Sequence, residues 1–147
     1  MANVPLISPQ IRTPGGILNT WMFTTANDVV CTGTEVTLIN TTITLQGNSK
    51  LVFWYTEPNL SKSSDTTNPS YTIVIPGITV VLDTNHMFYG TGTAGMRQGI
   101  SWLTYSENTG SGGTKTLQLK ANRYDNGSVT FGFQGRTGKL IIMEIAG

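Results

Sequence analysis

Apolar side chains in this chain come in short alternating runs, and the runs end at breaks rich in Gly, Pro, Asn or Ser. The clearest stretch lies toward the C-terminus. Leu117, Leu119 and Ala121 share one parity, and Asp125-Asn126-Gly127 interrupts them. Val129, Phe131 and Phe133 resume the alternation, Gly135-Arg136-Thr137-Gly138 interrupts again, and Leu140 to Ile145 is apolar almost throughout. A period of two is the mark of a strand with one buried face. Repeated turn signals between such runs exclude long helices and point to packed sheets.

Composition supports this reading. Thr occurs 24 times and Asn 11 times, against 12% charged residues, and 17 glycines and six prolines supply turns. Thr is β-branched and favours strands, and Asn favours turns. A chain of 147 residues suits one hydrophobic core. The expected fold is all-β, a jelly-roll-type β-sandwich of about 8–10 strands. Strands are expected near 16–24, 35–46, 50–56, 71–75, 78–83, 99–105, 114–121 and 139–145. A change of apolar phase near Asn40-Thr41 predicts a bulge, because one inserted residue flips the inward face. Pro76-Gly77 and Asn126-Gly127 predict turns, the latter a hairpin. Residues 57–70, 90–96 and 106–113 read as loops.

Residues 1–16 read as an extended N-terminal arm, with residues 17–147 forming the sandwich domain. Pro5, Pro9 and Pro14 block a helix, and Gly15-Gly16 closes the segment. Val4, Leu6, Ile7 and Ile11 give the arm apolar side chains that want a surface, so they are expected to bind a partner.

The sequence argues against chemistry. The eight acids (Asp28, Glu35, Glu57, Asp65, Asp83, Glu107, Asp125 and Glu144) are scattered, and no motif pairs two across a cleft. His86 is the single histidine and no Gly-x-Ser-x-Gly elbow accompanies it. Gly90-x-Gly92-x-x-Gly95 lacks the Lys-Ser/Thr ending of a phosphate loop. No enzyme, cofactor or metal site is expected. Cys31 is the one cysteine, so no internal disulfide forms, and the expected role is a small buried residue. A net charge of +1 with dispersed Lys and Arg gives no nucleic-acid footprint. No apolar run approaches the roughly 20 residues of a membrane helix. The first residues carry neither a basic region nor an apolar core, so no secretion signal is expected.

Residues 97–147 carry a family resemblance. An aromatic strand is followed by a Gly/Ser loop, then GTKTLQLKAN, a short turn, GSVTFGF, a basic turn and LIIMEI. This segment resembles the closing strands of trimeric jelly rolls similar to complement globular heads and tumour necrosis factor, a domain type that phage virions use in head-decoration proteins and fibre tips. The resemblance implies a homotrimer with a binding or structural role and transfers no catalytic residue.

The final strand bears on assembly. Apolar residues fall on both of its faces, so one face meets the core and the other needs a cover, which either a sister subunit or the N-terminal arm would supply. The expected oligomer-interface residues are Trp54, Arg136, Lys139, Ile142 and Glu144. Glu144 would be a costly buried charge, with Arg136 or Lys139 as its partner. Of the tryptophans, Trp21, Trp54 and Trp102 are expected in the core or between subunits, rather than as sugar-stacking platforms. The leading functional expectation is a phage virion protein assembled in the host cytoplasm, decorating or cementing a capsid as a homo-oligomer on the major capsid protein. Alternatives are the receptor-binding tip of a tail fibre or spike recognising glycan, and a non-viral carbohydrate-binding module.

Overall fold

The computed structural model describes residues 14–64, 67–81, 97–124 and 126–147. Val4, Leu6, Ile7, Ile11, His86 and the 90–96 loop lie outside the described residues, as do Asp65, Asp83 and Asp125. Nine strands are present among the described residues: β1 (Ile17–Thr24), β2 (Val29–Cys31), β3 (Val36–Gly47), β4 (Ser49–Lys62), β5 (Asn68–Val74), β6 (Arg97–Tyr105), β7 (Ser111–Tyr124), β8 (Val129–Phe131) and β9 (Lys139–Ala146). They form two antiparallel sheets, as the alternation predicts. One sheet runs β1-β9-β4-β8-β2, with β6 on the opposite edge of β4, and the other runs β3-β7-β5.

The core lies between the sheets. Leu51, Phe53, Tyr55, Leu140 and Ile142 from the larger sheet meet Ile43, Leu45, Tyr71, Leu117 and Leu119 from the smaller, and all are essentially buried. Four rings bridge the layers. Tyr55 lies 5.1 Å from Tyr71 and 5.2 Å from Trp102, and Tyr71 lies 5.6 Å from Phe131. Such tilted and edge-on pairs add to plain area burial. Cys31 is fully buried and its Sγ points at the Thr34 carbonyl, 3.2 Å away.

Several boundaries differ from expectation for identifiable reasons. β4 does not stop at Thr56. Its register against β6 shifts between Glu57 and Leu60, with the exposed Pro58 inside the irregularity, where a ladder N–H is dispensable. Past this bulge the strand exchanges β9 for β8 as its neighbour. Residues 57–62 are therefore strand, not loop. The β3 bulge falls between Thr37 and Ile39 rather than at Asn40-Thr41, and it leaves Leu38 and Ile39 both buried. The Asn126-Gly127 turn joins no hairpin. β7 belongs to the small sheet while β8 pairs with β2 and β4, so the turn carries the chain between layers. Pro76-Gly77 behaves as predicted, with Ile78 N donating to the Ile75 carbonyl at 3.0 Å.

A candidate protein-docking face

The two outer faces of the sandwich differ in chemistry. On the small sheet, Thr42, Thr44 and Asn40 of β3 stand opposite Thr116, Thr114 and Gln118 of β7. These side chains bond one another, as in the 3.2 Å Thr44–Thr114 hydroxyl pair and the 3.4 Å bond from Gln118 Nε2 to Asn40 Oδ1. Lys120 adds an ion pair with Glu35 at 3.0 Å. This is a solvated face.

The larger sheet turns apolar groups outward. Strand parity dictates which ones: with Phe53, Tyr55, Leu140 and Ile142 inside, Val52, Trp54, Ile141 and Met143 must point out. Register then aligns them. Met22 of β1, Ile141 of β9, Trp54 of β4 and Leu103 of β6 are successive cross-strand partners in one row. Thr20, Met143, Val52 and Tyr105 form the next, and Ile17 and Ile145 continue the face beyond it. Met22 is 62% exposed, Leu103 63%, Tyr105 50% and Trp54 45%. Four strands give a width of about 15 Å. Single exposed apolar residues are ordinary, but a contiguous patch this wide is a candidate interaction surface. Trp54 Nε1 donates to Ser101 Oγ at 3.0 Å, which ties this side chain to β6 and restricts it before any partner binds. Lys139 and Lys50 stand exposed on the same face at its two ends.

The predicted interface residues divide. Trp54 and Lys139 lie on this face, and Arg136 is exposed on the turn that precedes β9. Ile142 and Glu144 do not reach any outer surface. Both are 0% exposed, because they share the inward parity of Leu140. The outward residues of β9 are Ile141, Met143 and Ile145, which the same alternation could have identified once Leu140 was placed inside. Glu144 is partnered by neither Arg136 nor Lys139. Its Oε1 accepts from Gln46 N at 2.8 Å and Ser49 Oγ at 2.7 Å, and its Oε2 accepts from Asn19 Nδ2 at 2.7 Å. Three neutral donors from β1, β3 and β4 replace the expected cation. Trp102 is a core residue, and Trp21 is half-buried against the core. Among the described residues, no three His, Cys, Asp or Glu side chains come together as metal ligands would.

The comparisons with known proteins concern the same sandwich. It is similar to a chain in the structure of the infectious bursal disease virus Gx strain, with a TM-score of 0.51 and 14% identity, covering 98% of this chain and 37% of that one. It is also similar to VP2 in the crystal structure of the infectious bursal disease virus VP2 subviral particle, with a TM-score of 0.51 and 15% identity over 88% of this chain and 32% of that one. The likeness is one of fold. This chain thus spans about a third of the length of each of these viral proteins. No family model matches the sequence, and no curated protein matches it.

Proposed function

We propose that this chain is a virion structural protein with a binding rather than a catalytic role, which attaches to its shell through the outer face of β1, β9, β4 and β6. The observation that carries the reading is that apolar face, four strands wide and exposed at Met22, Trp54, Leu103 and Tyr105 among the described residues. A neighbouring shell subunit is the occupant that suits it, since a flat patch of this kind contributes most when another packed surface excludes water from it. The fold likeness to VP2 of a subviral particle supports a place in a virion. In its specific form, the protein decorates or cements a phage capsid as a homotrimer. A ligand that binds only the assembled shell stabilises it by linkage, and three copies of each contact multiply weak ones by avidity.

The test is co-sedimentation of the purified protein with empty capsids of its virus and, separately, with host cells. Capture by capsids, reduced at least about tenfold by Leu103→Lys, is the expected result. Capture by cells alone would replace this reading with that of a receptor-binding tip. Light scattering is expected to return three times the 15.9 kDa chain mass, and a monomer at high concentration would remove the trimer.

A further inference from the structure

The chain crosses from β7 to β8 through Asn126-Gly127, the one Asn-Gly pair in the sequence. An asparagine side chain can be attacked by the backbone nitrogen of the residue that follows it. The attack needs a small following residue, an amide that no acceptor holds, and a side chain free to turn toward it. Asn126-Gly127 meets all three conditions. Both residues are exposed and lie in a bend outside any strand. Among the described residues, no group accepts from Gly127 N and none bonds the Asn126 side chain. Asn48-Ser49 is a useful contrast, since serine is also small. Asn48 is exposed, but Ser49 is fully buried and its N donates to the Thr109 hydroxyl at 3.3 Å. Asn48 is pinned as well, with its N donating to the Gly110 carbonyl and its carbonyl accepting from Gly147 N.

The fold itself demands the glycine that leaves Asn126 unprotected. Gly127 holds φ 103°, which residues with a side chain rarely adopt. A Cβ there would stand 2.5 Å from both Ser63 Oγ and Thr67 Oγ1. No bulkier neighbour can therefore shield the amide without disturbing the crossing. The same crossing fastens β8 to the segment that follows β4. The Thr67 and Ser64 hydroxyls donate to the Asn126 carbonyl. Ser128 N donates to Ser63 Oγ at 2.7 Å, and Ser63 N donates to the Ser128 carbonyl at 3.0 Å. β8 is only three residues long, yet it pairs with both β2 and β4 and buries Val129 and Phe131.

We propose that Asn126 is a site of spontaneous covalent modification, at which the folded chain deamidates and isomerises its own backbone. Gly127 N gives up its proton to solvent base and attacks Asn126 Cγ. The new N–C bond closes a five-membered succinimide, and the side-chain nitrogen takes up a proton and leaves as ammonia. Water then opens the ring at either carbonyl. One opening yields aspartate in an ordinary chain. The other yields isoaspartate, in which the chain runs through Cβ and Cγ and gains one backbone atom. The former main-chain carbonyl is then a carboxylate beside the chain path. In the isoaspartyl form the acceptor of Thr67 and Ser64 is displaced, and the added atom pushes Gly127 toward hydroxyls that already leave no room for a Cβ. The tie between the 63–67 segment and β8 is thereby loosened.

The test is to age the intact chain in mildly alkaline buffer, folded and in urea, and to map its peptides by mass spectrometry. Each converted asparagine gains about 1 Da. In urea both Asn126 and Asn48 are expected to react. In the folded chain the Asn126 rate is expected to stay within about tenfold of its urea value, and the Asn48 rate to fall at least about a hundredfold below its own. Folding that suppresses Asn126 as far as Asn48 would overturn the proposal. Asn126→Gln, whose longer side chain closes a ring far more slowly, is expected to abolish the gain at that position. The wild-type comparison stands without that variant. The aged isoaspartyl fraction is expected to melt several degrees below fresh protein, and Asn126→Asp close to it. An isoaspartyl form that melts with fresh protein would refute the loosened crossing. None of these outcomes depends on what the apolar face binds.

Discussion

Replacing Glu144 with alanine is expected to cost the domain about 2–4 kcal/mol of folding stability, since it removes a buried acceptor shared by several donors and leaves a small cavity. The carboxylate joins β9 to β1 through Asn19, to β3 through Gln46 and to β4 through Ser49. Ser49 is itself bonded to the Thr109 hydroxyl at 2.8 Å. Alanine would remove the acceptor that these three donors share, the Ser49 bond being buried and the Asn19 and Gln46 bonds part-buried, and a buried group that loses its partner costs about 1–3 kcal/mol. Domains of this size hold about 5–15 kcal/mol in total, so the variant should lose a large part of its stability. Glu144→Gln keeps one acceptor oxygen for Gln46 and Ser49, and a rotated Asn19 amide can accept from the new Nε2. It is expected to recover more than half of the loss. Urea unfolding followed by tryptophan fluorescence measures both variants. Equal midpoints for alanine and wild type would show that the network contributes nothing.

The second large effect is expected from a single methyl group. Gly112→Ala should destabilise by about 2–4 kcal/mol, the upper part of the overpacking range. A Cβ at Gly112 would lie 2.6 Å from the Leu45 carbonyl oxygen and 2.7 Å from that of Gln46. Both are backbone atoms of a paired strand and cannot swing aside. The opposing Gly47 is equally constrained, since its own Cβ would collide with the backbone of Gly112. Gly47 has φ 82° and Asn48 φ 44°, and in these two residues the chain turns from β3 in the small sheet into β4 in the large one. A Tm for Gly112→Ala within a degree or two of wild type would refute this close approach. Gly77→Ala is a control for composition alone. Its Cβ would meet nothing within 4 Å, so its only cost is the left-handed backbone of φ 80°.

These two sites show where sequence reading works in this protein and where it ends. The alternation of Leu117, Leu119 and Ala121 placed β7, and the apolar run from Leu140 placed β9, because a period of two is a local property of the chain. The low charge, the Thr-rich strands and the turn at Pro76-Gly77 were legible for the same reason. Ser111-Gly112-Gly113 read as loop by composition, yet it is the start of β7, because only the crossing of Gly47 explains why those glycines are needed. Glu57 and the bulge beside it ended β4 too early on paper, since the strand survives by acquiring β8 as a partner that lies about seventy residues on.

The sequence by itself determined that this chain forms paired strands, that Trp102 and Cys31 suit a core, and that the last strand has two apolar sides. Only the tertiary structure decided which side of that strand is which. Parity is relative: a one-residue change of register would exchange Ile142 and Glu144 with Ile141 and Met143, and contacts with Leu51, Phe53 and Gln46 choose between them. It likewise decided that the Glu144 oxygens are satisfied by three uncharged donors and that Met22, Ile141, Trp54 and Leu103 fall in one row. Those residues come from four strands far apart in the chain, and long-range pairing brings them together in a way that no local pattern encodes.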